Sequence, residues 1–211
     1  MANEDYLQEF HNSIQQVVEA ETNDFLELAR IAGLDIATDF AGADLSAADL
    51  RNAKLRSADL SVANLILANL RSADLSDAKL SGANLRGADL RSADLRGADL
   101  RSADLIAAKL KDANLGGTDL RDAKLIFADL SGAYLSNADL TGADLSGAYL
   151  IAVDLSGANL MNANLTATNL NSAKVESARF GNNVGLSEDA EYELKNRGAI
   201  FPQDERIGLL V

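Results

Sequence analysis

The segment Ala83–Leu105 reads ANLRGADLRSADLRGADLRSADL, and this stretch decides the fold. A Leu recurs at every fifth residue, and an Ala stands two residues before each Leu. The pattern continues in both directions, so that Leu, Phe or Val occupies all 29 central positions from Phe40 to Phe180. The Ala is replaced at four sites only, by Thr38, Thr118, Val153 and Thr168. The repeating unit is therefore A-(D/N)-L-X-X.

The five-residue period excludes an amphipathic helix. Five residues rotate by about 140° around a helix, so the Leu side chains would be spread over every face. The Ala and Leu of one unit are instead two residues apart, which places both side chains on the same side of a strand. Because this alternation breaks at every fifth residue, the strand must bend there. Short strands that bend at a constant interval form a coil, and stacked coils bury the Ala and Leu side chains.

The A-(D/N)-L-X-X unit resembles the repeat of the pentapeptide repeat family, which is abundant in cyanobacteria. The resemblance covers roughly residues 38–182, about two thirds of the chain. It implies an all-β solenoid, a right-handed quadrilateral parallel β-helix with four repeats in each coil. At about 4.8 Å per stacked strand, about seven coils would make a rod about 34 Å long. In this frame Asp and Asn would hydrogen-bond to the bent backbone, and Gly would occupy turn positions.

Both ends of the chain predict helical caps, because a solenoid must cover its terminal coils. In residues 1–37, helical spacing of apolar residues predicts a first helix, and a second is expected from about Thr22 to Ala32 with Gly33 as its stop. The apolar residues of the first helix are Leu7, Phe10, Ile14 and Val17.

In residues 183–211, Ser187 is a candidate N-cap for a helix through Glu188–Asn196, with Gly198 ending it. Ile200 and Phe201 are then expected to fold back onto the last coil. The apolar tail would close the core or join another subunit, and closure is the preferred interpretation. The tail comprises Ile207, Leu209, Leu210 and Val211.

Composition excludes several functional classes. The chain has no Cys, which removes disulfides, thiolate metal sites and cysteine nucleophiles. Its one His, His11, has no companion at ligand spacing. Asp94 and Asp99 recur with the repeat and do not converge on a site. We therefore expect no enzyme activity, no cofactor and no metal. No signal peptide or long apolar run is present, so a cytoplasmic location without membrane contact is predicted.

The distribution of charge argues against nucleic acid as a ligand and weakens one alternative function. The net charge is −13, whereas phosphate binding needs clustered Lys and Arg. Residues 1–37 carry −7, residues 38–182 only −3 and residues 183–211 another −3. Some relatives resemble DNA in shape and charge and bind type II topoisomerases. A DNA-mimicking modulator of gyrase is therefore the alternative function, although the rod lacks sustained acidity.

Outward positions recur every twenty residues in a four-repeat coil, which sorts the surface into columns. One column and the adjoining face carry large apolar residues, which often mark a contact surface. The competing interpretation is that Ile simply favours stacked strands. The candidate protein-contact residues are Ile66, Leu67, Ile106, Ile126, Phe127, Tyr149 and Ile151.

Two further columns are charged. The basic column is interpreted as a solvated ladder with local ion pairs, with an anion-binding strip as the rival interpretation; it comprises Arg51, Arg71, Arg91 and Lys111. An acidic column is interrupted by Lys79 and comprises Asp39, Asp59, Asp99, Asp119 and Asp139. The leading hypothesis is a non-catalytic rod that binds an unidentified protein, with homodimerisation as one form of it.

Overall fold

A computed structural model describes residues 27, 29–30, 33–35 and 37–202. Within this part of the chain, parallel bridges join residues twenty positions apart, as in Asp44 with Asn64 and Asn64 with Asn84. The series continues through Asn164 to Val184. Each bridge involves single residues, so no longer strand forms in the described repeats. Four five-residue repeats thus complete one coil, and successive coils pair as neighbouring strands do in a parallel sheet.

A turn follows each central residue and produces the bend that the sequence predicts. After Leu45, for example, the N–H of Ala48 donates to the Leu45 carbonyl at 3.1 Å. Ala47, the third residue of this turn, has a φ of 55°. A positive φ at this position is the signature of a type II turn. The turn places two successive residues on the outside. The Ala of the next unit therefore points inward again, and each coil keeps its Ala and Leu side chains inside.

The four sides of the coil are numbered here by their central residues in the first full coil. Side 1 contains Leu45, side 2 contains Leu50, side 3 contains Leu55 and side 4 contains Leu60. Corners take the numbers of the two sides that they join, so Ser46 and Ala47 lie at corner 1–2. Residues twenty positions apart lie on the same side or corner of adjacent coils.

Leu and Ala fill the interior almost completely, as predicted from the period. Thr118 replaces an Ala and is fully buried, and its hydroxyl donates to the Leu95 carbonyl at 2.9 Å. Thr38 differs from the prediction, because it is exposed and its hydroxyl donates to Asp39 at 2.9 Å. Ser76 was expected to face solvent and is instead buried, with its hydroxyl donating to Asp74 at 2.5 Å. A hydroxyl with a local acceptor can be buried at little cost.

The Asp and Asn before each centre stabilise the turns, as expected. An oxygen of Asp44 accepts from the N–H of Ser46 at 3.1 Å, and one of Asp139 accepts from that of Thr141 at 3.0 Å. Each bond spans two residues, the arrangement of an Asx turn. The recurring acidic residues therefore serve the backbone.

The single helix bounded in the described residues is α1, Glu188–Asn196, and it has the bounds that the sequence predicts. The Ser187 side chain accepts from the N–H of Ala190 at 3.2 Å, and Gly198 has a φ of 87°. Beyond the helix, Ile200 pairs with Arg179, and the ring of Phe201 stacks on that of Phe180 with centroids 5.5 Å apart. Phe201 thus covers the last central residue of the repeat.

Near the other end, Glu27, Ala29 and Arg30 are helical and Gly33 has a φ of 75°, where a helix stop was predicted. The first predicted helix and the apolar tail lie outside the described residues.

Candidate protein-contact surface

Five of the seven candidate contact residues lie at corner 1–2, and we call this set the apolar edge. Their stacking is direct: the N–H of Ala47 donates to the Ile66 carbonyl at 2.8 Å, and that of Ala107 donates to the Ile126 carbonyl at 2.9 Å. The other two candidates, Tyr149 and Ile151, lie on side 2 and at corner 2–3. The apolar edge consists of Ile66, Leu67, Ile106, Ile126 and Phe127.

Within the apolar edge, Leu67 and Phe127 carry the accessible surface. The three Ile residues are half-buried, whereas Leu67 is 66% exposed and Phe127 is 64% exposed. The two large side chains are three coils apart in one column, about 14 Å at strand spacing. They are therefore the two points of the edge that another molecule would touch first.

Both residues have strained backbone conformations. Leu67 has a φ of 58° and Phe127 a φ of 57°, in the left-handed region that bulky residues rarely occupy. Such a residue costs on the order of 1–3 kcal/mol. The same column elsewhere contains only Ala and Gly: Ala47, Gly87, Ala107, Gly147 and Ala167. The coil therefore forms at this position without a large side chain, and its folding does not require Leu67 or Phe127.

Each of these side chains lies against the Gly of the next coil. A Cβ added to Gly147 would come within 2.5 Å of the Phe127 ring, and one added to Gly87 within 2.9 Å of a Leu67 methyl group. Both contacts are shorter than van der Waals distance, so Gly is needed there for space. The inner surface of each side chain is supported by backbone, and the outer surface remains in solvent.

Within the 38–182 repeat, the sequence analysis missed two large exposed side chains. Val62 lies at corner 4–1 with 66% exposure and a φ of 52°. Tyr134 lies on side 3, between Asn114 and Asp154, and is 54% exposed. Tyr134 occupies the position of the unit that is normally Asp or Asn, and that departure was a usable signal. Val62 could have been found in the same way, because it occupies the turn position of Gly42 and Gly82.

The basic column shows only part of the local pairing that the sequence predicts, because Arg51 pairs with Asp49 and Arg91 with Asp89, whereas Arg71 and Lys111 form no ion pair within the described residues. Arg residues at other corners also pair locally. Arg96 pairs with Asp94 at 2.5 Å, and Arg101 with Asp99 at 2.6 Å. The hydrogen bonds from these guanidinium groups hold the pKa of each carboxyl below its usual range. On side 4 and corner 4–1, Arg121 pairs with Asp119 at 2.5 Å and lies 3.9 Å from Asp139. The acidic column is therefore neutralised along much of its length.

A cleft of about 520 Å³ opens between side 2 of the last coil and helix α1. Thr168, Leu170 and Asn171 line one wall, and Leu186 and Glu193 line the other. The Arg197 guanidinium closes one end by donating to the carbonyl of Leu170 at 3.0 Å and to that of Ala173. The two hydroxyl groups in the lining bond to backbone, since Thr168 donates to the Leu165 carbonyl at 2.7 Å and Ser187 accepts from the N–H of Ala190 at 3.2 Å. Across the described ranges, no group of His, Cys, Asp or Glu is arranged to hold a metal ion.

A scan against protein families matches the model for pentapeptide repeats, with eight copies over residues 36–71, 68–105, 103–142 and 143–182. The chain belongs to the pentapeptide repeat family. Its coil is accordingly a β-helix of solenoid type. No curated protein matches the chain. Among the helices of the described residues, none has the length and apolar character needed to cross a bilayer.

Solved structures of other pentapeptide repeat proteins are similar to this chain. HetL, from the cyanobacterium Nostoc sp. strain PCC 7120, is 37% identical over 76% of this chain and 71% of its own, with a TM-score of 0.54. HetL is involved in the regulation of heterocyst differentiation. A pentapeptide repeat protein from the thylakoid lumen of Arabidopsis thaliana is 36% identical over 55% of this chain and 81% of its own, with a TM-score of 0.51.

Proposed function

We propose that this protein is a non-catalytic scaffold that binds another protein through the candidate contact surface, with the apolar edge at its centre. One observation carries the proposal: Leu67 and Phe127 are large, exposed and held in left-handed backbone where Gly or Ala would suffice. Backbone strain is typically retained at functional positions, where some other interaction compensates for it. The closed, Leu-filled interior gives no pocket for chemistry, which supports binding over catalysis.

The shape of the rod supports the same function. Successive coils are joined by backbone hydrogen bonds, as from Leu65 to Asn84 at 2.7 Å and from Leu67 to Arg86 at 3.0 Å. Side chains on such a frame lose little entropy on binding, because their positions are already set. Apolar residues that project from a rigid frame fit a partner with matching apolar pockets, and aromatic anchors commonly dominate such interfaces.

The handedness of the coil, the boundaries of the domains and the cellular location of the protein are part of this proposal. The coil is right-handed and four-sided, in line with the strong preference for right-handed connections between parallel strands. Residues 1–37 and 183–211 act as caps on the 38–182 repeat, and the protein works in the cytoplasm. It uses no cofactor and contacts neither nucleic acid nor a membrane.

Affinity capture from a lysate of the source organism, followed by mass spectrometry, tests the function. The baits are the wild-type protein and the variant Leu67→Gly/Phe127→Gly, which uses the residue found at Gly87 and Gly147 in the same column. We expect a protein that the wild type enriches at least about tenfold more than the variant, the loss typical of a removed aromatic anchor.

Val62→Gly is the matched control for this capture experiment. Val62 is equally exposed and equally strained but lies at corner 4–1. The control removes strain and apolar surface without touching the apolar edge, so it should retain the partner. If all three baits enrich the same proteins to the same extent, the apolar edge is not the binding site.

The gyrase alternative receives no support from the arrangement of charges. A DNA mimic needs an unbroken negative column, yet Arg101 lies 3.6 Å from Asp119 and Arg121 lies 3.9 Å from Asp139. Hydrogen bonding to Asp119 raises the pKa of Arg121, so this positive charge is permanent. A gyrase supercoiling assay separates the two functions. Inhibition at stoichiometric amounts of this protein would favour the alternative.

A further inference from the structure

The outward side chains at corner 2–3 change from basic to apolar halfway along the rod. Its first outward column contains basic residues in four successive coils and then Ser131 and Ile151. Backbone hydrogen bonds between neighbouring rungs show that these residues stack, for example from Ser92 to the Lys111 carbonyl at 3.0 Å and from Gly132 to the Ile151 carbonyl at 2.8 Å. The four basic residues are Arg51, Arg71, Arg91 and Lys111. One continuous surface thus has a basic half and an apolar half.

The basic half presents positive charges that its own neighbours do not fully pair. Arg51 forms an ion pair with Asp49, and Arg91 forms one with Asp89. In the part of the chain that the structure describes, neither Arg71 nor Lys111 has an ion-pair partner, and neither does Lys109 on side 2. All three of these side chains are exposed. Unpaired cations on a rigid ladder are available to a second molecule.

The other half of the corner combines aromatic side chains with carboxylates. Tyr149 and Ile151 are 57% and 56% exposed, and Tyr134 lies across the corner on side 3. Asp129 stands one coil before Tyr149 on side 2. Asp154 stands one coil beyond Tyr134 on side 3 and has one local partner, Lys174 of the next coil, at 3.4 Å. Residues 125–173 contain no Lys or Arg at all. This half is therefore suited to receive guanidinium groups, which stack on Tyr rings and pair with carboxylates.

We propose that two copies of this chain associate side by side and antiparallel through corner 2–3, with the basic half of each against the Tyr-rich half of the other. A two-fold axis would pass near Lys111. Arg91 would then lie opposite the coil of Tyr134, and Arg71 opposite the coil of Tyr149 and Ile151. Such an interface is isologous, so every contact occurs twice.

The basic residues and the Tyr–Asp groups recur at the same spacing along the rod. This common spacing favours a second copy of the chain as the partner over an unrelated basic protein. The cations and the Tyr–Asp groups both recur on the coil spacing of about 4.8 Å. Two antiparallel rods of equal spacing stay in register over several coils, whereas a partner of different spacing would match at one rung only. This inference goes beyond the proposed function, because it assigns Tyr149 and Ile151 to self-association and leaves the apolar edge for other proteins.

Sedimentation of the full chain at increasing concentration is the first test. We expect a dimer by about 100 µM, as for a Kd in the micromolar range. The variant Arg71→Glu/Arg91→Glu should weaken the dimer at least about tenfold, because like charges then face each other. The control Arg101→Glu/Arg121→Glu makes the same change of charge at corner 4–1 and should leave the dimer intact.

A charge exchange makes this test specific. Lys occurs naturally in the column of Asp129, at Lys109, so Asp129→Lys is compatible with the coil, whereas Asp154 is left unchanged because it already pairs with Lys174. Adding Asp129→Lys to Arg71→Glu/Arg91→Glu should restore the dimer. A wild-type chain that stays monomeric, or a dimer that Arg71→Glu/Arg91→Glu leaves unchanged, overturns the proposal. A monomer that binds an arginine-rich peptide also overturns it, since the partner would then be another protein.

Single cysteines locate the axis, because the chain has none of its own. A residue on a two-fold axis lies opposite its own copy, so Lys111→Cys should form a disulfide-linked dimer under mild oxidation. Ser102→Cys, exposed at corner 4–1 and at a similar height along the rod, should not. Equal crosslinking of the two variants, or crosslinking of Ser102→Cys alone, excludes the proposed interface.

Discussion

At the third residue of the turn, one backbone conformation selects for a few residue types. Within the described part of the chain, all nineteen non-Gly residues with positive φ occupy this position, and sixteen of them are Ala, Ser, Asn or Asp. Asn and Asp are the residues that tolerate left-handed backbone best. The three large exceptions are Val62, Leu67 and Phe127. Two of these three, Leu67 and Phe127, belong to the apolar edge. The rare backbone conformation of a large residue therefore coincides with the candidate contact surface.

The space beside Phe127 gives a prediction at this scale. Gly147 and Gly117 both have a φ of 66°, but an added Cβ meets the Phe127 ring only at Gly147 and meets nothing within 4 Å at Gly117. Gly117→Ala should lower the free energy of unfolding by about 1–2 kcal/mol through backbone strain alone. Gly147→Ala should lower it by roughly 1–3 kcal/mol more, because the ring is displaced. Urea unfolding of both variants measures the difference.

The same pair of variants in a Phe127→Gly background serves as the control. Without the ring, Gly147→Ala and Gly117→Ala should cost equal amounts. A difference that persists would mean that another contact, and not Phe127, restricts residue 147.

At the scale of the element, helix α1 and the segment after it close the last coil. Leu194 is the buried residue of this helix, and Phe201 stacks on Phe180 at the end of the row of central residues. The Lys195 ammonium lies 4.9 Å from the centre of the Phe201 ring, which adds a cation–π contact. The helix is anchored through its apolar contacts, and its cap at Ser187 sets where it begins.

Phe201→Ala should open this end of the rod. Removal of a buried aromatic side chain costs about 3–5 kcal/mol. We expect faster hydrogen exchange at the amide of Phe180, which donates to the Ile200 carbonyl, and at that of Ile200, which donates to the Ala178 carbonyl, with little change near Leu100. Tyr192→Ala is the control, since Tyr192 lies on helix α1 of the same cap but is exposed. Equal protection in wild type and Phe201→Ala would contradict a closing role.

At the scale of the whole molecule, the recurring Asp–Arg pairs link stability to pH. Hydrogen bonds from Arg101 and Arg121 hold the pKa of Asp99 and Asp119 below the usual value of about 3.9. The unfolded chain therefore binds protons at a higher pH than the folded chain does. Stability is fully present above about pH 5 and is lost as the pH falls through the lowered pKa values of the folded state.

Thermal unfolding between about pH 2.5 and 7 measures this linkage. The melting temperature should be constant above about pH 5 and should fall steadily below about pH 4. Arg121→Gln removes the hydrogen bond that lowers the pKa of Asp119, so its melting temperature should fall less steeply in the acid range. An identical slope for the variant and the wild type would contradict the assigned cause.

Much of this architecture is readable from local pattern. The Ala-x-Leu alternation and its break at every fifth residue depend only on neighbouring residues, so the bend and the buried set could be predicted without coordinates. The Ser187 cap and the Gly198 stop are also local, which explains why helix α1 has the predicted bounds. Arg96 lies two residues from its partner Asp94, and that pairing was likewise accessible.

Other features depend on which residues the coil brings together. Twenty residues separate Phe127 from Gly147 and Tyr149 from Asp129, and the five-residue period alone does not say how many repeats close a coil. Nor does it show that Ser76 is buried or that Tyr134 lies across one corner from Tyr149. These relations arise only when the chain closes on itself, because contacts between coils depend on the number of turns in each. The period therefore dictates the coil, and the closure of the coil decides which side chains share a surface.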